Sequence, residues 1–317
     1  MSFLKNLRPT LYFVMFSALL SCSTDDDNVD TEGSETYSTD IYLTDSPIDN
    51  AEVTGVFVTI ADVKVNGTSI DGFSKTTIDV STLTEGSTQL LGNIDLEAGT
   101  TSNVVLVLDN ETDASGNAPG SYVLTSSGDK KALLTGESQI NINDNAEIFS
   151  SGENELVIDF DLRKSIQQNA ESNYSFVSNS RLSNSLRVVN TIEAGTITGT
   201  VSNSTSTGAD AVVVYAYRAN SYSESEMQTD NNGVAFTNAV SSTAVSNSNG
   251  EFSLHFLEEG NYELVFASYE DTDNDGRLEL QGELQMNLTG DLSLNDIQVS
   301  SNSTVNLNLA VEGLLDL

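Results

Sequence analysis

Apolar and polar residues alternate with a period of two along most of this chain, in short runs that end at Gly, Asn and Asp clusters. Such alternation is typical of strands with one buried face, and the clusters supply the turns between them. The longest run, residues 53–65, places Val56, Val58 and Ile60 on one face. The pattern therefore predicts an all-β protein rather than a parallel α/β sheet.

Further strands are predicted by the same alternation in both halves of the chain, and one helical turn is predicted at residues 162–168. The chain is long enough for two cores, and a new β pattern begins after Glu193. We therefore predict two β-sandwich domains in tandem, at residues 37–192 and 193–317. The predicted strands are residues 38–43, 104–108, 122–124, 139–142, 155–160, 196–201 and 211–217.

A hairpin is predicted around Asn249-Gly250, a tight-turn dipeptide between two alternating runs. In the run after it, Phe252, Leu254 and Phe256 are predicted to face the core, with Ser253 and His255 facing outward. The polar insertion at residues 220–242 is predicted to be a mobile loop.

The first residues predict export. Residues 1–9 carry Lys5 and Arg8, and residues 11–20 form an apolar run. That run is too short to span a bilayer of roughly 30 Å, but it has the length of a signal-peptide core. It ends in Leu-Leu-Ser-Cys22, which resembles the lipobox of bacterial lipoproteins. The resemblance implies a signal peptide at residues 1–21 and acylation, for example by palmitate, of Cys22.

Acidic residues follow this cysteine. Ser23, Thr24, Asp25, Asp26 and Asp27 resemble the export signal that sends some lipoproteins to the outer face of the outer membrane. Residues 22–36 as a whole are expected to form a lipidated, disordered acidic tether. We therefore expect an outer-membrane location, contact with the membrane through the lipid anchor, and display at the cell surface.

The charge of the chain restricts its partners. There are 47 acidic and 12 basic residues, which gives a formal net charge of −35. Such a charge repels phosphate backbones and excludes nucleic acid as a partner. It favours divalent cations and cationic or neutral partners.

Three segments of the first half carry a family resemblance: LTDSP at 43–47 with VFVTI at 56–60, DLEAG at 95–99, and DFDLRKS at 159–165. They resemble an uncharacterised domain of bacterial surface lipoproteins over residues 37–190, although Thr-Thr-Ser at 100–102 departs from its pattern. Over residues 195–311, an opening Gly-Thr-Val strand, a variable insertion and a turn–strand–Gly–Tyr–strand unit resemble the carboxypeptidase-regulatory-like, transthyretin-like β-sandwich. That resemblance implies a stalk, spacer or ligand-presenting module rather than a catalytic unit.

Two groups of aspartates are candidates for chemistry. Asp159 and Asp161 could face the same way, about 6–7 Å apart, with Arg163 and Lys164 nearby to keep both ionised. They are either a catalytic carboxylate pair or a solvated strand face. Asp45, before Pro47, is interpreted as a turn former that caps local amides.

The second group, DTDNDG at 271–276, resembles a Ca²⁺ loop with Asp271, Asp273 and Asp275 as ligands. The twelfth position is Gly282 rather than Glu, which argues against an EF-hand. A simpler calcium loop and an acidic hairpin loop without an ion both remain open.

No catalytic residue is predicted. The chain has one His and one Cys and lacks Trp, so it has no zinc cluster, and no nucleophile elbow accompanies any Ser. We predict a non-enzymatic binding or scaffolding module at the bacterial surface, with an extracellular glycan or protein as its ligand. The alternative is a carboxylate-based or Ca²⁺-assisted glycan hydrolase centred on Asp159 and Asp161. A purely structural role in the envelope is a third interpretation.

Overall fold

Strands account for almost all the regular structure in the computed structural model, which confirms the all-β class. The structure describes residues 35–46, 53–99, 103–169, 173–204, 206–228, 234–273, 278–290 and 292–316. Residues from Glu35 onward form one compact unit. Within it we distinguish a first lobe, residues 36–190, from a second lobe, residues 194–316. The predicted domain boundary between 192 and 193 stays a prediction.

The described residues of the first lobe form thirteen strands and two short α-helices. Most predicted strands are confirmed, and the alternating run at residues 53–65 is a single strand whose Val56, Val58 and Ile60 are all buried. The strands are β1 (Thr36–Ser46), β2 (Val53–Val65), β3 (Thr68–Ser69), β4 (Thr76–Asp79), β5 (Gln89–Glu97), β6 (Val104–Leu108), β7 (Tyr122–Thr125), β8 (Lys130–Ala132), β9 (Gln139–Asn141), β10 (Asn154–Asp161), β11 (Ile166–Gln168), β12 (Tyr174–Phe176) and β13 (Leu186–Asn190).

The helices of this lobe correct one prediction. Helix α1 (Leu162–Ser165) is shorter than predicted, because the chain extends again as β11. Helix α2 (Asn179–Ser185) was not predicted. Short 3-10 helices lie at Val80–Thr82, Thr191–Glu193 and, in the second lobe, Glu224–Met227.

Two sheets enclose the core of the first lobe. One has the order β13-β10-β1-β5, with β1 parallel to β10, and the other has the order β8-β7-β2-β6-β9, with β3 and β4 also paired to β2. A single hydrophobic cluster joins their inner faces, for example Leu43 and Ile158 with Val58 and Leu106. This is the packing of a β-sandwich, and it leaves the end of β10 pointing at the second lobe.

In the second lobe, the described strands form one eight-stranded sheet with the order β16-β15-β18-β19-β21-β14-β17, and β20 paired to β18. All eight strands contribute to one cluster on a single face of the sheet, so the sheet curls around its core. The strands are β14 (Ala194–Ser202), β15 (Ala211–Arg218), β16 (Ser241–Val245), β17 (Glu251–Glu258), β18 (Gly260–Glu270), β19 (Glu279–Leu288), β20 (Ile297–Val299) and β21 (Thr304–Asp316).

Strand β15 is buried on both faces, which explains its nearly continuous apolar sequence. Its alternate residues Val213, Tyr215 and Tyr217 belong to a further cluster with Phe236. Residues of the insertion at 220–242, including Phe236, cover this second face of the strand. The described part of the insertion is therefore packed against the sheet, and the prediction of a mobile loop is wrong there.

The turn at Asn249-Gly250 is present, but β16 and β17 form their ladders with β15 and β14 rather than with each other. Gly250 has φ +72°, and a Cβ there would lie 2.1 Å from the Val201 carbonyl oxygen, so glycine is required. After the turn, Phe256 is not in the core as predicted. Its φ of +53° interrupts the alternation, and Leu257 is buried instead.

Candidate functional site

Asp159 and Asp161 lie at the end of β10 and are each only 5 % exposed. Both line a cavity of about 520 Å³ between the two lobes. The interpretation of these residues as a solvated strand face is therefore wrong. Around them the cavity brings together three basic residues and several amide and hydroxyl side chains: Lys164, Arg187, Arg218, Asn143, Asn184, Thr237 and Asn238.

Asp159 is held by Arg187, which stands opposite it in the antiparallel register of β10 and β13. The Arg187 Nε donates to Asp159 Oδ2 over 2.8 Å, and Nη2 lies 2.7 Å from the same oxygen. The guanidinium also donates to the carbonyl oxygens of His255 and Phe256 on β17. One arginine thus ties a carboxylate of the first lobe to the backbone of the second.

Asp161 caps α1 and binds two cations. Its Oδ1 accepts from the Lys164 backbone N–H, and its Oδ2 lies 3.0 Å from Lys164 Nζ and 3.5 Å from Arg163 Nη2. Burial alone raises the pKa of the Asp161 carboxyl, but the charges of Lys164 and Arg163 outweigh it, and the net pKa is lowered. Asp161 is therefore held ionised.

These two basic residues also form hydrogen bonds to the second lobe. Arg163 donates to the carbonyl oxygens of Ala235 and Phe236, over 2.5 and 3.2 Å, and Lys164 Nζ donates to the Ala239 carbonyl over 3.0 Å. Arg163 also lies over the ring of Tyr215, 5.0 Å from its centroid. We call these contacts, together with the Arg187 contacts, the lobe junction.

Phe236 positions the acceptors of the lobe junction. Its ring is fully buried and stacks on Tyr215 with a centroid distance of 4.2 Å. Sequence reasoning missed this residue and Arg187. For Arg187 the available signal was the rarity of basic residues, 12 in 317. An arginine within a β pattern of so acidic a chain needs a specific partner.

Asp45 does not form a local turn as predicted. It lies in β1, is 7 % exposed, and its Oδ1 accepts from the backbone N–H of Leu162, 117 residues away. It therefore fixes the start of α1 and, with it, the place of Arg163. Pro47 lies outside the described residues.

His255 is half-buried rather than outward and solvated. A Cβ on Gly86 would lie 2.8 Å from its Nδ1, so the imidazole packs directly on that glycine of the first lobe. Burial lowers the pKa of His255, against a smaller opposing effect of Glu85. The histidine therefore belongs to the contact between the lobes.

The predicted calcium loop is described in part. Carboxylate oxygens of Asp271, Asp273 and Glu279 lie within 4.8 Å of one another, as a metal ion would require. Glu279 Oε2 also accepts from the backbone N–H and hydroxyl of Thr272. Asp275 lies outside the described residues. Calcium binding at this loop stays a prediction.

The lipidation and export residues, Cys22 and Ser23 to Asp27, lie outside the described residues, and their roles stay predictions. In the described part of the chain, no helix has the length and apolar character needed to cross a bilayer.

A family comparison covers most of the first lobe. Residues 38–178 match the model of a domain of unknown function, DUF4382, which is less than half of the chain. The match agrees with the resemblance of this region to an uncharacterised domain. The lipoprotein nature of the chain and the carboxypeptidase-regulatory-like character of the second lobe stay predictions. None of the curated proteins matches.

Several solved structures show distant similarity. The Bacillus anthracis TIE protein is 11 % identical over 87 % of this chain, with a TM-score of 0.19, and this chain covers 34 % of its length. The major pilin subunit BcpA of Bacillus cereus is 12 % identical over 87 % of this chain and 70 % of its own, with a TM-score of 0.21. The shaft pilin SpaA of Lactobacillus rhamnosus GG is 13 % identical over 89 % of this chain and 100 % of its own, with a TM-score of 0.20. Similarity at this level carries no argument for function.

Proposed function

We propose that this chain is a non-enzymatic lipoprotein of the bacterial cell envelope whose two lobes form one scaffold that binds an extracellular glycan or protein. The observation that carries the proposal is that the candidate carboxylate pair is buried in ion pairs that connect the two lobes. Asp159 and Asp161 are buried. Asp159 is ion-paired to Arg187 and Asp161 to Lys164, and both cations also donate to backbone carbonyls of the second lobe.

The same geometry argues against the glycan hydrolase. A hydrolase of that type needs one carboxyl group whose raised pKa lets it donate a proton. The pKa of Asp161 is lowered instead, and the Oδ2 of Asp159 is bonded to Arg187. This carboxylate pair is therefore suited to joining the lobes rather than to proton transfer.

The cavity between the lobes is the proposed ligand site. Its basic residues are committed to ion pairs, including Arg218 with Glu258. Amide and hydroxyl groups such as Asn143, Asn184 and Thr237 line the same cavity. Such groups exchange hydrogen bonds with sugar hydroxyls or with a peptide backbone without requiring a charged partner.

A partner screen tests the binding function directly. The full chain, purified in detergent, is screened against glycans and envelope proteins with and without Ca²⁺. Asn184→Trp adds bulk at an exposed position of the cavity lining and should abolish binding of any partner found, whereas Asn287→Trp, exposed and outside that lining, should not. Glycan turnover that is lost on Asp159→Asn would overturn the proposal in favour of the hydrolase.

The anchor has a separate test. Cells grown with labelled palmitate should label the wild-type chain but not Cys22→Ser, and the variant should leave the membrane fraction. Protease added to intact cells should cleave the wild-type chain if Asp25 to Asp27 direct it to the surface. Label retained by Cys22→Ser would contradict the lipoprotein assignment.

A further inference from the structure

A second, much smaller cavity lies at the junction of the lobes. It measures about 20 Å³ and is lined from the first lobe by Asp45, Asp159 and the exposed Glu85, and from the second by Ser242 and His255, among others. That volume holds one water molecule or one monatomic ion. The occupant must be something that polar oxygen atoms stabilise.

Two residues of this lining, Asp159 and Ser242, each carry a buried oxygen atom that needs a partner. Asp159 Oδ1 and Ser242 Oγ have no hydrogen-bond partner among the described residues, although both residues are at least 95 % buried. A buried polar atom without a partner costs free energy, and a buried carboxylate oxygen costs more than a hydroxyl. Something bound between them would remove that cost.

The charges of the lining decide between a neutral and a cationic occupant. Asp45, Glu85 and Asp159 bring three carboxylates, and no Lys or Arg is among the described residues that line this cavity. Arg187 contacts the other oxygen of Asp159, Oδ2. The larger cavity, by contrast, has three basic residues in its lining. The small cavity therefore has an excess of negative charge in a partly dehydrated place, which favours a cation.

We propose that the small cavity binds one hard divalent cation, Ca²⁺, with Asp159 Oδ1 and Ser242 Oγ as ligands from the two lobes. Ca²⁺ prefers carboxylate, hydroxyl and carbonyl oxygen ligands, and the lining offers these groups. Because one ligand comes from each lobe, the ion stabilises the docking of the lobes. This site is separate from the predicted loop at Asp271 and Asp273.

The test measures calcium directly. The full chain in detergent is stripped with a chelator, dialysed against micromolar Ca²⁺, and its bound calcium per chain is determined by mass spectrometry. Its thermal unfolding midpoint is then recorded with Ca²⁺, with Na⁺ alone and with chelator. We expect one retained Ca²⁺ that Asp271→Asn/Asp273→Asn does not remove, and a higher midpoint with Ca²⁺.

Two variants locate the ion. Ser242→Ala keeps the Asp159–Arg187 pair intact and should weaken Ca²⁺ affinity roughly tenfold or more. Asp159→Asn should remove the ion, and if it fails to fold, Ser242→Ala still decides. The proposal would be overturned if Ser242→Ala kept its Ca²⁺ affinity, or if calcium were lost only in the loop variant. Equal stabilisation by Na⁺ alone would also overturn it. So would an unfolding midpoint that does not respond to any ion, as expected if the cavity holds a water molecule.

Discussion

Two Asp-X-Asp segments of this chain have the same spacing and opposite surroundings. Asp159 and Asp161 flank Phe160, which is fully buried, and both aspartates are buried at the lobe junction. Asp271 and Asp273 flank Thr272, which is exposed, and they lie at the surface near Glu279. The spacing of the two aspartates alone therefore does not distinguish buried ion pairs that join the lobes from an acidic loop at the surface.

The neighbours in sequence make the difference. Phe160 anchors the end of β10 in the core of the first lobe, so the aspartates on either side must face the other way, towards the second lobe. Arg163 and Lys164, two and three residues after Asp161, supply the cations that offset the cost of burying this carboxylate.

The largest expected effect comes from Asp161→Asn. This change leaves Arg163 and Lys164 buried without their counter-charge, so we expect the free energy of unfolding to fall by about 3–5 kcal/mol. The matched change in the other segment, Asp271→Asn, should cost no more than about 0.5 kcal/mol. Urea unfolding of both variants measures the contrast, and equal effects would contradict it.

A smaller effect is expected from Phe236→Leu. Leucine keeps most of the buried volume but loses the stacking on Tyr215, which corresponds to about 1–2 kcal/mol of unfolding free energy. The same urea experiment measures it. The exposed Leu292→Ala is a control that should change little. A negligible loss in Phe236→Leu would show that the insertion is not part of the scaffold.

His255 should give a modest dependence of stability on pH. Its pKa is lowered in the folded state, so below pH 6.5 the unfolded chain binds a proton that the folded chain does not. The wild-type stability should therefore fall as the pH decreases from 6.5 towards the lower folded pKa, and His255→Gln should lose less over that window. Thermal unfolding midpoints of the two proteins, measured between pH 7 and 5, test this. If both midpoints fall by the same amount over that range, the prediction is wrong.

The smallest expected effect belongs to the loop. If Asp271, Asp273 and Glu279 bind Ca²⁺ weakly, Asp271→Asn/Asp273→Asn should lower only the part of the calcium stabilisation seen at millimolar Ca²⁺. Thermal unfolding of the variant across a calcium titration measures it. An unchanged titration curve would leave the acidic hairpin loop as the correct interpretation.

Local patterns predicted the strands well because a half-buried strand imposes strict alternation, as at residues 53–65. They failed where contacts distant in sequence decide. The short α1 depends on Asp45, 117 residues before the amide that it binds. Phe256 looked like a core residue because alternation assumes regular strand backbone, and its positive φ breaks that assumption.

The candidate site was predictable only as a set of residue types. Asp159, Asp161, Arg163 and Lys164 were named from the sequence, but nothing local shows that Arg163 extends to the backbone of residues 235 and 236. The pairing of Asp159 with Arg187 likewise depends on the register of β10 with β13. Periodicity does not determine register between strands that are distant in the chain.

Amide hydrogen exchange of Asp161→Asn tests most directly the claim that this carboxylate pair joins the lobes. If the claim is correct, the amides of Phe236 and Ala239 should exchange much faster in the variant, because their segment loses Arg163 and Lys164 as fixed donors. The amides of β6, in the core of the first lobe, should keep their wild-type protection. Unchanged protection at Phe236 and Ala239, or a uniform loss across both lobes, would contradict the account.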